Sequence, residues 1–463
     1  MLRAGVVSPF KPECYKPLRD NDVERIHRGA LDLLEQIGLS EASASCIELV
    51  CGAGGRLTNE GRLVFPRGLV EDTIAGAGRN FQLHGQDPKN DLNPWGDNTY
   101  FSTAGAAVHI YDAASHEYRE STLKDLYNIA RLVDSLDHID AYSRPVVARD
   151  MEDSHALDIN TLYTCITGTS KHGATSMSTP ESVRACLDML HIVAGGEDKW
   201  RARPFITQTN CFVVPPMKFA TESLDCMEVA VRGGMPIMMV SAGQSGATSP
   251  AALAGTIMQE IAEVLAGLVF VNLISPGHPA ISVPAAFVSD LRTGAMSGGS
   301  GEQALLSASS AQMSRYYDLC AGALAGITDS KTPDAQHGYE KGMTEVLAAH
   351  AGANMIYESA GMQASLLAFS MEGMVIDNDM IGNIKRTLKG IEVTEDSLSI
   401  ENLDAIIVNP NADFSVLPDA LDTATLHLKD ILSSHYPDHT PVETDAMIRE
   451  KFDIRLPKEI MRA

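Results

Sequence analysis

From Thr99 to about Gly390 the sequence alternates short apolar runs with amphipathic stretches, and it does so eight times. The apolar runs are TYFSTAGAAVHIYD, HIDAYSRPV, KHGATSMS, PFITQTN, PIMMVSAGQ, LVFVNLISP, ALAGITDS and NMIYESAG. Helical patterns separate or follow them at roughly 122–135, 154–167, 180–194, 219–232, 250–267, 301–321, 334–350 and 377–389. Runs this short and continuously apolar suit strands buried on both faces, and the intervening lengths suit crossover helices. Eight such units predict a closed (β/α)8 TIM barrel. A doubly wound open sheet is the rival; it wants a G-x-G-x-x-G turn after its first strand, and STAGAAV is not one. Three of the helical segments open with the same pair, Thr179-Pro180, Ser249-Pro250 and Thr332-Pro333. A hydroxyl can cap free amides there, and proline fits the first helical position. Asp334 adds an acid favourable to the helix dipole.

Residues 1–98 read as an extension of helices and a hairpin. Val23, Ile26, Ala30, Leu33, Leu34 and Ile37 form one helical stripe over 21–39, a second helix covers 41–51, and a third starts near Gly68. GRLTNEGRLVFP predicts a hairpin turning at Asn59-Glu60-Gly61. Residues 99–390 are the expected catalytic barrel. Residues 391–463 begin acidic and irregular, with IEVTEDSLSIENLDAI, and are expected to pack on the barrel or on a neighbouring subunit of a homo-oligomer.

The formal charge of −24, from 36 basic and 60 acidic residues, argues against a nucleic-acid partner and serves solubility. No run approaches 18 consecutive apolar residues and no secretion leader is read at the start, so no membrane association and a cytoplasmic location are expected. The eight cysteines form no CxxC pair, and neither HExxH nor another zinc spacing occurs, so reduced core cysteines and no bound metal are expected.

In a barrel, chemistry gathers at the C-terminal strand ends. Those ends carry Tyr100 to Thr103, Arg144, Ser176, Gln208 with Asn210, Ser241 with Gln244, Ser275 with His278, Asp329 to Lys331, and Glu358 with Ser359. Asp329 and Ser330 are also ordinary turn formers. Lys331 lies near a helix N-terminus, the wrong end of the dipole for a cation, and so wants a carboxylate or a ligand. Glu358 follows the buried-looking NMIY, which points either to a site role or to an internal ion pair with Lys331. His172 reads as a core histidine and His350 as a helix-end residue, while His337 faces either cleft or solvent. SGGSGE at 297–302 is too weak a signal for a phosphate cradle and suits a mobile loop. Aromatics make up 6% of the chain, and Tyr100, Phe101, Phe212, Phe287 and Tyr357 fall near strand ends, where an aromatic lining would suit a quaternary ammonium.

The segments ITDSKTPDAQHGYEKGMTEVLAAHAGANMIYESAGM, MVIDNDMIGNIKR, SAGQSGATSPAALAGTIMQEIAEVLAGLVFVNLISPG and GRLVFPRGLVEDTIAGAG resemble the trimethylamine methyltransferase superfamily over nearly the whole chain. The resemblance implies a barrel whose open end receives a corrinoid protein, with methyl passing from an amine to cob(I)alamin. Archaeal trimethylamine enzymes carry pyrrolysine; every position here is a standard residue, so the chain is similar to the non-pyrrolysine branch acting on glycine betaine, proline betaine or carnitine. A quaternary nitrogen already leaves readily, so the step needs positioning. On this reading Tyr100 and Glu358 face the trimethylammonium head, while Gln208, Asn210, Gln244 and Lys331 hold the tail, Lys331 suiting a betaine carboxylate, and Asp329 and Gln336 complete the substrate-binding set. The family pattern often has Gly where Glu358 stands, which allows a different or more cationic substrate. The alternatives are a non-catalytic barrel binding quaternary ammonium, and a lyase using Lys331 as a Schiff base.

Overall fold

A computed structural model describes residues 15–391, positions 393–395 and 398, and residues 420–461. Its centre is one sheet of eight parallel strands: β1 Tyr100–Phe101, β2 Ala141–Ser143, β3 His172–Thr175, β4 Ile206–Cys211, β5 Ile237–Ser241, β6 Ala280–Pro284, β7 Cys320–Leu324 and β8 Met355–Tyr357. They follow one another in chain order around the sheet, and β8 pairs with β1 so that Met355 stands opposite both Gly322 and Tyr100. The remaining seam, between β1 and β2, closes through a parallel bridge from Ser102 to Ala141. Thr103 Oγ1 donates to the Ser143 carbonyl at 2.7 Å and accepts from the Ser143 amide at 3.0 Å. The molecule is a TIM barrel.

Side chains alternate along each strand, as the period of two demands. Tyr100, Met238, Val240, Ile281, Val283, Cys320, Leu324, Met355 and Tyr357 fill the barrel interior. Their neighbours Phe101, Ile237, Met239, Ala280, Ala323 and Ile356 join the layer between sheet and helices. That outer layer is formed by α1 Leu123–Ser135, α2 Ser154–Gly168, α3 Pro180–Ala194, α4 Thr221–Arg232, α5 Leu253–Ile274, α6 Gly301–Tyr316, α7 Ala335–His350 and α8 Met371–Leu388.

The structure corrects three sequence expectations. The run LVFVNLISP is no strand: its first seven residues, through Ile274, are the last turns of α5, and the sixth strand is Ala280–Pro284. Helix α5 is apolar on nearly every side because it lies between the barrel and the N-terminal extension, packing on helices Asp20–Asp32, Ala44–Gly52 and Arg67–Gly76. By length and composition it could cross a membrane, but 83% of its most apolar stretch is buried inside the fold. Ser275 and His278 therefore precede β6 at the opposite end of the barrel, where His278 Nε2 meets the Met235 carbonyl at 2.8 Å.

The second correction concerns the three hydroxyl-proline pairs. Thr179 does cap α3, accepting from the Ser182 amide at 3.1 Å with Pro180 first in the helix. Helix α5 starts beyond Ser249-Pro250 with Ala252 at its cap position, and α7 is capped by Asp334, which accepts from the His337 amide at 3.0 Å. Aspartate is a stronger cap than threonine, and it displaces the start by two residues.

The hairpin Arg56–Leu57 with Arg62–Val64 forms as expected and adds Leu39–Ser40 as a third strand. The run TYFSTAGAAVHIYD divides: only Tyr100–Phe101 is barrel strand, and His109–Asp112 pairs with Glu117–Glu120 in a hairpin beyond the strand ends. Helix Ala420–Ser434 packs on α1 and α8, and helix Val442–Lys451 packs on α3. Arg131 ties the tail down, donating to the His435 carbonyl at 2.7 Å and stacking 4.0 Å from the Tyr436 ring. Most of the acidic stretch 391–406 lies outside the described residues.

Candidate active site

A cavity of about 540 Å³ opens at the C-terminal end of the strands, a size ordinary for a small-molecule site. Its floor is the top of the interior layer, with Met238, Val240 and Leu324. Its wall is polar: Gln208 and Asn210 from β4, Arg144 just past β2, Ser176 past β3, and Glu358 one residue past β8.

Three of these groups present oxygens that nothing among the described residues satisfies. Glu358 is 4% exposed and its Oε2 has no hydrogen-bond partner; the same holds for Gln208 Oε1 and Asn210 Oδ1. Asn210 is fixed the right way round, because its Nδ2 donates to the Ser223 carbonyl at 3.0 Å. Buried polar atoms are usually paired, and these three oxygens, with Thr209 Oγ1 beside them, line one cavity where a ligand can complete the pairing. Burial pushes the Glu358 carboxyl up to about 8, against a smaller downward pull from Lys341. Its backbone adopts φ +65°, a left-handed conformation costly for a side chain with a Cβ.

Behind Glu358 lies a buried charged network. His337, Lys341 and Glu345 follow one another at four-residue spacing along α7, and all three are buried. His337 Nε2 lies 2.7 Å and Lys341 Nζ 3.1 Å from the two oxygens of Asp377 on α8. Burial alone would raise the Asp377 carboxyl, but Lys341 and His337 outweigh it and the net shift is downward. Glu345 has no partner for either oxygen, and burial holds it well above the usual carboxylate range. Lys341 also donates to the Gly326 carbonyl, and Gly326 must be glycine: at φ +91° a Cβ would stand 2.4 Å from Glu345 Oε1. His337 is thus neither in the cleft nor in solvent. His172 is a core histidine, between the His84 carbonyl and Thr207 Oγ1 at 2.8 Å each.

Of the residues singled out from sequence, Gln208, Asn210 and Glu358 come together in the cavity wall. Tyr100 lies in the barrel interior, accepting from the Asn93 amide at 3.2 Å. Gln244 pairs with Phe287 in a short strand outside the wall, and Gln336 donates to Glu340 Oε1 at 2.8 Å. Asp329 clamps three loops, accepting at 2.7 Å from Ser297 Oγ, Gly298 N and Ser365 Oγ. The SGGSGE segment is accordingly an anchored loop whose Ser300 caps α6. Lys331 is exposed, and its Nζ donates to the Asp329 carbonyl at 2.8 Å. No ion pair joins Lys331 to Glu358; the cation acting on Glu358 is Lys341.

The expected aromatic lining does not form among the described residues, none of whose aromatic side chains is in the cavity wall. Phe101 and Phe212 belong to the outer layer, and Tyr100, Tyr357 and Phe287 to the interior cluster. Sequence reasoning placed Arg144 at a strand end but gave it no role, and it missed Lys341, Glu345 and Asp377. Three charged or titratable residues at i, i+4 and i+8 on a helix that must bury that face were the available signal. Among the described residues no cluster of three His, Cys, Asp or Glu is placed to hold a metal ion.

Residues 6–414 match the family model described as trimethylamine methyltransferase (MTTB). The trimethylamine methyltransferase MttB of Desulfitobacterium hafniense strain DCB-2 is 34% identical over 390 residues, covering 84% of this chain and 78% of that protein. The glycine betaine methyltransferase of D. hafniense strain Y51 is 29% identical over 393 residues, covering 85% and 81%. Among solved structures, the monomethylamine methyltransferase MtmB of Methanosarcina barkeri superposes with a TM-score of 0.55 at 12% identity, covering 98% of this chain and 91% of that one. That likeness speaks for the barrel alone.

Proposed function

The chain is a methyltransferase of the trimethylamine methyltransferase family, and from that premise we propose that it moves a methyl group from a betaine-like quaternary amine to the cob(I)alamin of a cytoplasmic corrinoid protein. The observation that carries this reading is the trio of unsatisfied oxygens, Glu358 Oε2, Gln208 Oε1 and Asn210 Oδ1, around one cavity. A neutral or anionic ligand rich in acceptors would leave them unpaired. A tetraalkylammonium group suits them, because it donates no conventional hydrogen bond yet carries positive charge spread over its methyl hydrogens.

Each residue then has a task. Glu358 supplies the countercharge, and cation binding draws its carboxyl into the ionised form. Gln208 and Asn210 turn their amide oxygens on the same head group. Met238, Val240 and Leu324 enclose the methyls and exclude water. The reduced cobalt of the acceptor supplies the nucleophile. As the C–N bond breaks, its electron pair stays on nitrogen and a neutral tertiary amine leaves without needing a proton. This chain's contribution is orientation, holding one methyl toward the open mouth. The loops that follow β4, β6 and β8 carry exposed apolar side chains that suit a docking acceptor, with Val214 50%, Leu291 72% and Leu367 61% exposed. Membership of the family sets aside the non-catalytic barrel and the Lys331 lyase.

The test is to mix the pure protein with chemically reduced cobalamin and a panel of quaternary and tertiary methylamines, following cobalt methylation by absorbance. Turnover with a quaternary amine is expected. Failure with every member of the panel would sink the reading.

A further inference from the structure

Among the described residues Arg144 is the only lysine or arginine in the cavity wall, and its position is fixed from both sides. Its amide donates to the Ala174 carbonyl at 3.0 Å, and its carbonyl accepts from the Ala106 amide at 3.3 Å. The side chain is half-buried and has no carboxylate within ion-pair distance. The acid that acts on it most, Asp158, is already engaged by the Ser178 amide at 2.7 Å and by Ser178 Oγ at 3.2 Å. A guanidinium keeps its charge at any ordinary pH, so partial burial without an anion is a cost that a ligand can relieve.

The opposite pole is Glu358. In the barrel β2 and β8 flank β1 on its two sides, two strand spacings or about 10 Å apart along the wall. Cys211, at the end of β4, responds to both poles: beyond the upward push of burial, Arg144 draws its thiol down and Glu358 draws it up. Once a bound cation draws Glu358 into its ionised form, the cavity has a positive end at Arg144 and a negative end at Glu358. Lys331, a second basic residue near these strand ends, is turned away onto the Asp329 carbonyl, and Lys341 is held behind Glu358 by Asp377 and the Gly326 carbonyl.

We propose that Arg144 binds the carboxylate of a zwitterionic substrate while the trimethylammonium end lies against Glu358, Gln208 and Asn210, so that this enzyme selects methylated amines bearing an anionic group. The inference rests on the reading of the cavity as a methylated-amine site and deepens it. A guanidinium meets a carboxylate through two parallel N–H donors, which fixes the orientation of the bound molecule as well as its charge. Trimethylamine or choline would satisfy Glu358 and leave Arg144 unpaired.

The experiment is calorimetric titration of the full chain with glycine betaine, 4-trimethylammoniobutyrate and choline, paired with the cobalamin methylation assay. Wild type is expected to bind at least one carboxylated probe about tenfold or more tightly than choline, in line with a charge-assisted pair. Arg144→Gln should abolish that preference and leave choline binding unchanged. Arg144→Lys, which keeps the charge but loses the fork, should retain part of it, and it decides the matter if the Gln variant does not fold. Equal weakening of all three probes, a wild-type preference for choline, or no binding of any probe overturns the proposal. A carboxylate preference that depends on Arg144 without methyl transfer overturns the transfer reading and leaves the anchor standing. Transfer from choline without a carboxylate preference does the reverse.

Discussion

Glu358 carries two costs at once, a left-handed backbone and a buried carboxyl with an unpaired oxygen. Both become intelligible if the residue waits for a cation. Its carboxyl titrates near 8 in the folded chain against 4.5 when unfolded. Between those values the folded state holds a proton that the unfolded state has released, so stability falls as pH rises, by roughly 1.4 kcal/mol per pH unit for one such group. Above about pH 8 the effect levels off. Glu358→Gln removes this slope, and its advantage in Tm over wild type should grow between pH 5 and pH 8.5. Substrate affinity should run the other way. A cation prefers the ionised carboxylate, so binding in the wild type tightens as pH rises toward 8 and then flattens. In Glu358→Gln the curve should be flat and KM raised about tenfold, equivalent to about 1.4 kcal/mol. Unchanged KM and an unchanged pH profile would reduce Glu358 to scaffold.

At the scale of elements, the barrel was legible because alternation of apolar runs with 3.6-period segments leaves few topologies open. The sixth strand was misread for a physical reason. A continuous apolar run fits a doubly buried strand and a fully sandwiched helix equally well, and only the packing of α5 between two layers decides. Gln208, Asn210 and Glu358 could be found because strand ends follow from strand positions. The fates of Lys331 and Arg144 could not, since a long side chain reaches in several directions and the surrounding loops choose. The DSK segment turns out to be a loop clamp and helix start whose cap is Asp334. Asp334→Ala should cost about 1 kcal/mol of stability by chemical denaturation, whereas Thr332→Ala should cost only a few tenths. A larger loss at Thr332 would return the cap to the hydroxyl-proline pair.

For the whole molecule, the N-terminal extension packs on α5 and the C-terminal helices pack on α1, α3 and α8, while the cavity opens at the C-terminal strand ends. The exposed apolar side chains on the loops after β4, β6 and β8 suit a protein that docks there only during transfer. Val214→Asp combined with Leu291→Asp should raise KM for the corrinoid protein about tenfold, an ordinary loss for apolar anchors. The same variant should bind the amine as wild type does and should methylate free cobalamin at the wild-type rate. Equal effects with both acceptors would place these residues in the catalytic cavity rather than on a docking face.

The most direct measurement follows both products of one reaction. The protein is mixed with reduced cobalamin and glycine betaine or 4-trimethylammoniobutyrate, and the demethylated amine is quantified by mass spectrometry alongside the methylated cobalt. One equivalent of tertiary amine for each methyl gained by cobalt is the result expected. Intact substrate with unmethylated cobalt, across carboxylated and uncarboxylated quaternary amines alike, would contradict the account.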